Sequence, residues 1–158
     1  MIIFILQALS FANDIPDLSG TWLLDRRENL KNYLISRGET NSLKHSAIKC
    51  IKPQMEIHQK DNNFSIKTNL KPCIPLAPVK TIHREFMADG KTTFEGKMFE
   101  GQTVSWVAWF NESKFIVKAK TPKGTEMITR TIQNNELVQR NWLIDKNVVL
   151  VQYFKKVK

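Results

Sequence analysis

Polar side chains able to bind an anion occur in this sequence at alternate positions of otherwise apolar segments. Arg130 lies between Ile128 and Ile132, and Gln139 and Gln152 also have apolar residues two positions away. Residues two apart in a strand face the same side, so each polar group shares its face with apolar side chains. A guanidinium can pair with a carboxylate through two hydrogen bonds. The pattern argues against a solid apolar core and indicates a partly hydrated cavity for an amphipathic ligand.

Residues that support catalysis or metal binding form no recognisable constellation. The three histidines, His45, His58 and His83, fall on separate predicted elements. The sequence contains no G-x-S-x-G elbow, phosphate-binding glycine loop or H-E-x-x-H motif. A pairing of Cys50 with His58 is conceivable, but two cysteines without suitably spaced histidines make no zinc site. We therefore expect a binding protein without a metal or cofactor, and not an enzyme.

The elements that position these residues are mostly short strands. Residues 19–27 predict a first strand, and helices are predicted over 28–37, ending at Gly38, and over 42–51, before Pro53. Nine further strands are predicted at 54–59, 64–70, 79–86, 92–99, 103–110, 114–121, 125–132, 136–144 and 147–156. The three prolines of residues 71–78 predict an irregular loop. The fold class is all-β: a ten-stranded up-and-down β-barrel with a helix-turn-helix cap after the first strand.

The apolar start of the chain predicts secretion. Residues 1–12 are interpreted as a signal peptide and residues 13–158 as one domain. The alternative is an apolar segment that packs on the barrel of a cytoplasmic protein. Asn63 and Asn111 begin glycosylation sequons at predicted turns. Cys50 and Cys73 form a disulfide or remain free thiols; the sequence does not decide between these.

The chain of 158 residues carries a net charge of +9, which favours anionic partners. Its lysines and arginines are spread along the whole length, as on a solvated basic surface. A basic β-barrel that binds nucleic acid or another polyanion on its outer surface is the alternative function. Its candidate residues are Trp106, Trp109, Phe110, Lys114 and Lys118. Aromatic residues on one face of a strand more often indicate barrel packing, so we expect no nucleic-acid partner.

Three segments resemble the fatty-acid-binding protein family. The most specific is LSGTWLLDRRENLKNYLISRG at 18–38, in which a G-x-W strand leads into a Tyr-Leu helix ending in Gly. The strand at 64–68 and the ending Gln152-Tyr153-Phe154-Lys155-Lys156 are also similar to family segments. The leader, the extra length and this ending resemble the secreted branch known from nematodes. The resemblance covers the chain from about residue 18 to 157 and implies a lipid-binding domain.

The resemblance implies a ligand site inside the barrel. In the family, one arginine of the eighth strand and an arginine and tyrosine of the last strand hold the ligand carboxylate. The first position matches Arg130, and the other two match Gln152 and Phe154, which depart from the pattern. The implied ligand-binding residues are therefore Arg130, Gln152, Phe154 and Gln139, and the implied ligand is a long-chain fatty acid. A retinoid or other hydrophobic hormone stays open as cargo.

In this family the two helices cover the barrel mouth, which suggests how ligand leaves. The predicted cap combines basic with apolar side chains, which suits transient docking on an anionic membrane. These residues are Lys31, Leu34, Arg37, Leu43, Lys44, Ile48, Lys49 and Lys52. The resulting hypothesis is a monomeric carrier that delivers its ligand by membrane contact. Solvated lysines on a solubilising face are the alternative.

Overall fold

Ten antiparallel strands form one sheet in the computed structural model, which describes residues 15–97 and 101–157. The strands are β1 (Gly20–Glu28), β2 (Lys52–Lys60), β3 (Asn63–Lys71), β4 (Lys80–Met87), β5 (Asp89–Lys97), β6 (Thr103–Asn111), β7 (Lys114–Thr121), β8 (Gly124–Gln133), β9 (Glu136–Leu143) and β10 (Val148–Lys156). Each strand pairs with its neighbours in the chain except that β4 and β5 do not pair, and β1 also pairs with β10. This pairing wraps the sheet into the predicted up-and-down barrel, so the fold class is confirmed.

The barrel stays open between β4 and β5, which are the two edges of the sheet. Trp106 on β6 reaches across this gap, and its indole Nε1 donates a hydrogen bond to the carbonyl oxygen of Glu85 on β4 at 3.2 Å. Gly96 on β5 leaves room for the indole, because a Cβ there would lie 2.7 Å from the ring. One large side chain therefore spans the gap.

Turn residues with left-handed backbone conformation set the strand register. Asn134 and Asn135 connect β8 to β9 with φ of 51° and 63°, the two-residue geometry whose twist suits a hairpin. Asp61 and Glu112 occupy the same region with φ of 54° in the turns before β3 and β7. Asparagine and aspartate tolerate this conformation, which is why the Asn- and Asp-rich segments predicted most turns.

Two helices follow β1 at the positions predicted. Helix α1 (Leu30–Ser36) ends as expected at Gly38, whose φ is +83°. The amides of Gly38 and Glu39 donate to the carbonyls of Ile35 and Leu34 at 2.9 Å, the pattern that closes a helix C-terminus. Helix α2 (Ser42–Cys50) begins with Asn41, whose side chain accepts hydrogen bonds from two backbone amides. None of the described helices is long and apolar enough to span a bilayer.

One end of the barrel is packed and the other is hollow. Phe115 is fully buried and its ring lies within 5.7 Å, centroid to centroid, of the rings of Phe64, Phe86 and Phe110. Trp22, Met55, Leu137 and Phe154 belong to the same core. A cavity of about 720 Å³ occupies the other end, below the helices. The interior therefore contains the predicted cavity and also a tightly packed base. The alternation of polar and apolar residues along the strands did not predict the packed base.

The loop over residues 72–79 is irregular, as its prolines predicted. Cys73 in this loop forms a disulfide with Cys50 at the end of α2, with Cα atoms 5.9 Å apart. The sequence left open whether these cysteines form a disulfide or remain free thiols, and the structure shows the disulfide. The disulfide also leaves no free thiol for the conceivable pairing of Cys50 with His58. The predicted signal peptide, residues 1–12, lies outside the described residues.

The disulfide joins residues 23 positions apart. Replacing both cysteines, C50S with C73S, removes a constraint on the unfolded chain, and we expect the free energy of unfolding to fall by about 3 kcal/mol. Urea unfolding monitored by tryptophan fluorescence measures this. The untouched protein in reducing agent serves as the control and should show the same loss. A change below about 1 kcal/mol in both would contradict a stabilising role for this cross-link.

Candidate ligand-binding site

The cavity lies between the two helices and the adjacent ends of the strands. Apolar side chains form most of its wall, and charged groups occur at a few places. Its lining includes Tyr33, Arg37, Ile66, Ile82, Arg84, Phe86, Trp106, Val117, Glu126, Ile128, Arg130 and Asn141. A largely apolar wall with a few convergent polar groups is typical of a small-molecule site.

Arg130 on β8 is the most buried basic group of the wall, with 7% of its surface exposed. Its Nε donates a hydrogen bond to Oε1 of Gln139 at 2.8 Å. Its terminal nitrogen Nη1 is buried and has no hydrogen-bond partner among the described residues. A buried guanidinium nitrogen without an acceptor is costly, so this group is suited to meet an anionic ligand.

The amides of Gln139 and Gln152 support Arg130 from neighbouring strands. Gln139 lies opposite Arg130 in the β8–β9 ladder and opposite Gln152 in the β9–β10 ladder. Its Nε2 donates to Oε1 of Gln152 at 3.3 Å and to Oδ1 of Asn141 at 2.9 Å. The structure thus brings together three of the four predicted ligand residues. Gln139 and Gln152 are not among the residues that line the cavity. Gln139 binds Arg130 directly, and Gln152 binds Gln139.

Phe154, the fourth predicted residue, lies elsewhere. It is 1% exposed and packs in the apolar core, opposite Leu137 in the β9–β10 ladder. Its ring contributes to the packed base of the barrel, and it is not one of the residues that line the cavity. The alternation of β10 predicted its inward direction correctly, but strand alternation does not indicate how deep the cavity extends.

Arg84 on β4 is a second arginine of the cavity wall. Its guanidinium carbon lies 4.6 Å from the ring centroid of Trp106, a favourable cation–π distance. Burial lowers the pKa of Arg84. Burial and, second, the positive charge of Arg84 lower the pKa of Arg130 to about 10. Sequence reasoning missed Arg84, although the alternation of Ile82, Arg84 and Phe86 could have indicated an inward arginine.

A buried carboxylate, also missed, closes the cavity beneath α1. Glu126 on β8 accepts hydrogen bonds from the Tyr33 hydroxyl at 2.5 Å, from Asn141 Nδ2 at 2.7 Å and from Arg37 Nη1 at 3.0 Å. Burial, followed by the charge of Glu126, raises the pKa of Tyr33. This network ties α1 to the barrel. It also corrects the predicted docking surface, because Arg37 and the buried Leu34 face the protein.

The aromatic residues proposed for polyanion binding do not form an outer platform. Trp106 is buried inside the barrel, and Phe110 packs against the core. Lys114 and Lys118 lie opposite Asn111 and Val107 in the β6–β7 ladder. Trp109 is half-buried, so these candidate residues provide no row of exposed aromatic rings of the kind that stacks on bases.

Curated proteins of two related kinds resemble this chain in sequence. No family model matches the chain. The chain is 32% identical to human cellular retinoic acid-binding protein 2 over 117 residues, 70% of this chain and 75% of that protein. It is 29% identical to cellular retinoic acid-binding protein 1 of Gallus gallus over 134 residues, 78% of this chain and 88% of that protein.

Solved structures share the fold at low identity. A structure described as the REP1-NXSQ fatty acid transporter has a TM-score of 0.74 at 20% identity, covering 90% of this chain and 97% of its own. Fatty-acid-binding protein 1 of Echinococcus granulosus has a TM-score of 0.71 at 17% identity, with 89% and 98% covered. These neighbours show that the chain has the fold of a ten-stranded barrel with a helical cap.

The ten-stranded barrel, its helical cap and its internal cavity define a lipid-binding β-barrel. With relatives of the identity and coverage just given, the chain belongs to the fatty-acid-binding protein family, as its N-terminal segment suggested. Members of this family are lipid-binding carriers.

The buried charge of Arg130 predicts a gain in stability when it is removed. Since the pKa of Arg130 is lowered to about 10 in the folded state, the charged form disfavours folding fully at neutral pH, and the penalty is relieved only as the pH rises through this value. We expect R130Q to raise the free energy of unfolding of the ligand-free protein by about 2 kcal/mol.

Urea unfolding at pH 7 measures this change. R140Q is the matched control, because Arg140 lies next to Gln139 on β9 but does not line the cavity. A surface substitution of this kind should change stability by less than about 0.5 kcal/mol. If R130Q is instead less stable than the parent protein, the guanidinium is compensated inside the folded state.

Proposed function

We propose that this protein binds and carries a hydrophobic ligand with a carboxylate head group, a long-chain fatty acid, in the cavity below α1 and α2. The observation that carries the proposal is the buried Arg130, whose Nη1 has no partner among the described residues. A carboxylate oxygen would supply the missing acceptor and the opposite charge. The names of the relatives, which mention retinoic acid and fatty acid, support a ligand of this chemical class.

The apolar wall supports the tail of such a ligand. Ile66, Ile82, Val117 and Ile128 line the cavity together with the ring of Phe86. Burial of an acyl chain contributes roughly 0.8 kcal/mol per methylene group, and a volume of about 720 Å³ lies within the range usual for ligand sites. The tail therefore provides most of the affinity, and Arg130 fixes the orientation of the head.

Exchange of the head group tests this role of Arg130. We expect R130Q to weaken hexadecanoate binding by about tenfold or more, since a charge-assisted hydrogen bond is lost. Binding of hexadecanol should change little. Isothermal titration calorimetry with both ligands measures the two effects, with R140Q again as the control. Equal loss for acid and alcohol would contradict the carboxylate role, and failure of the parent protein to bind hexadecanoate would contradict the proposed function.

We also propose that the carrier delivers its ligand at anionic membranes. Leu43 on α2 is 80% exposed, and Ile74 and Leu76 in the loop joined to α2 by the disulfide are exposed as well. Lys49 and Lys52, beside the end of α2, are also exposed. Exposed apolar and basic side chains near a cavity mouth support docking to anionic lipid.

Transfer of a fluorescent fatty acid to vesicles tests this delivery. K49Q with K52Q should slow transfer to vesicles rich in anionic phospholipid by about thirtyfold, because each basic group contributes roughly 1 kcal/mol near such a surface and about 1.4 kcal/mol is a factor of ten. Transfer to neutral vesicles should stay unchanged. K60Q with K114Q is the matched control, because both lysines are exposed at turns of the opposite barrel end. A rate that does not depend on anionic lipid would exclude docking of this kind.

We further infer that the protein is secreted. The support comes from the Cys50–Cys73 disulfide, because such bonds persist in oxidising compartments. The sequon residues Asn63 and Asn111 are exposed beside turns, where a glycan can be attached. In a cytoplasmic protein the two thiols would be kept reduced.

A further inference from the structure

Charged residues of the cavity wall are mostly compensated within the protein. Arg37 pairs with Glu126 at 3.0 Å, and Lys44 pairs with Glu39 at 3.2 Å. Arg27 donates to the carbonyl oxygen of Ile48 at 3.1 Å. These contacts leave Glu126 and Glu39, the two carboxylates that line the cavity, engaged with cations at its mouth.

Arg84 and Arg130 differ from Arg37 and Lys44, which pair with carboxylates. Among the described residues, neither has a carboxylate partner. Arg130 is bound only through Nε to a neutral amide, and Arg84 rests on the Trp106 ring. Arg130 lies 5.9 Å from the Phe115 ring and Arg84 4.6 Å from the Trp106 ring, and both of these rings pack against Phe86. Arg84 and Arg130 are therefore two positive charges of the cavity wall for which the described residues provide no counter-charge.

We propose that Arg84 and Arg130 together form a site for a dianionic head group, so that the protein prefers a single-chain lipid phosphate monoester over a singly charged amphiphile. This inference rests on the proposed function, because the same cavity must hold the acyl chain. A carboxylate balances one of the two guanidinium groups and leaves the other without a counter-charge in a partly desolvated space, which is unfavourable. A phosphate monoester carries nearly two charges above its second pKa of roughly 6 and offers three acceptor oxygens.

Two features show that the site is built by the fold. The unpartnered Nη1 belongs to an arginine that is more than nine-tenths buried. Arg84 is placed by packing, because its guanidinium stacks on Trp106 and its Nη1 lies against Gly96, where a Cβ would come within 3.2 Å. A planar guanidinium in a fixed position matches the oxygens of a phosphate.

Amphiphiles with one chain and different heads test the proposal. Hexadecyl phosphate and hexadecyl sulfate have similar tetrahedral heads, but at about pH 8 the phosphate carries nearly two charges and the sulfate one. Titration calorimetry below the micellar concentration compares them with hexadecanoate. We expect the parent protein to bind the phosphate about tenfold more tightly than the sulfate, the ratio that a single added charge-assisted contact of about 1.4 kcal/mol produces.

The variant R84Q should reduce this phosphate-to-sulfate ratio to about one, with a smaller effect on hexadecanoate, because a neutral amide cannot balance the second charge. R140Q removes an equal charge outside the cavity and should keep the parent ratio. Circular dichroism checks that R84Q is folded, and G96A offers a second route, since the added methyl group would displace Trp106 and Arg84. An equal affinity for phosphate and sulfate in the parent protein, or a preference that survives R84Q, overturns the dianion site. If hexadecanoate still binds, the proposed function stands; if no ligand binds, both fail.

Discussion

The structure depends on a positive charge that is buried beside a hollow space. Arg130 is held in place by Gln139, but it has no counter-charge within residues 15–97 and 101–157. A compact core would exclude such an arrangement, because an uncompensated buried charge is strongly unfavourable. The cavity makes it tolerable by leaving room for an anion. Ligand-free protein therefore gives up some stability in exchange for a head-group site that is already positioned.

The fold tolerates this loss of stability because other parts of the barrel provide the stabilising contacts. The stacked rings around Phe115 fill the base, and the ladder from β1 to β10 continues the sheet past the chain ends. At the mouth, the Glu126 network and the Cys50–Cys73 disulfide hold the helices and the 72–79 loop. The middle of the barrel can therefore hold a ligand, since the packing of neither end depends on side chains in the middle.

Much of this fold could be predicted from the sequence, because strand alternation and turn chemistry are local properties. All ten strands and both helices lie within a few residues of their predicted positions. The site was harder to predict. Arg130, Gln139 and Gln152 meet as expected, but Phe154 lies in the packed base and Leu34 of the predicted docking surface is buried. How deep a cavity extends and which side of a short helix is covered depend on contacts between distant segments, which periodicity does not encode.

The departures from the family pattern at Gln152 and Phe154 acquire a physical meaning in this arrangement. Gln152 is bound to Gln139 and Phe154 is surrounded by apolar side chains, so the last strand presents no charge to the cavity. The second cation comes instead from Arg84 on β4, an edge strand beside the gap in the barrel. Since Arg84 is only partly buried, its charge costs less in the empty protein than a second arginine beside Arg130 would. In the proposed site the positive charge is therefore divided between β8 and β4, and a bound head group contacts both strands.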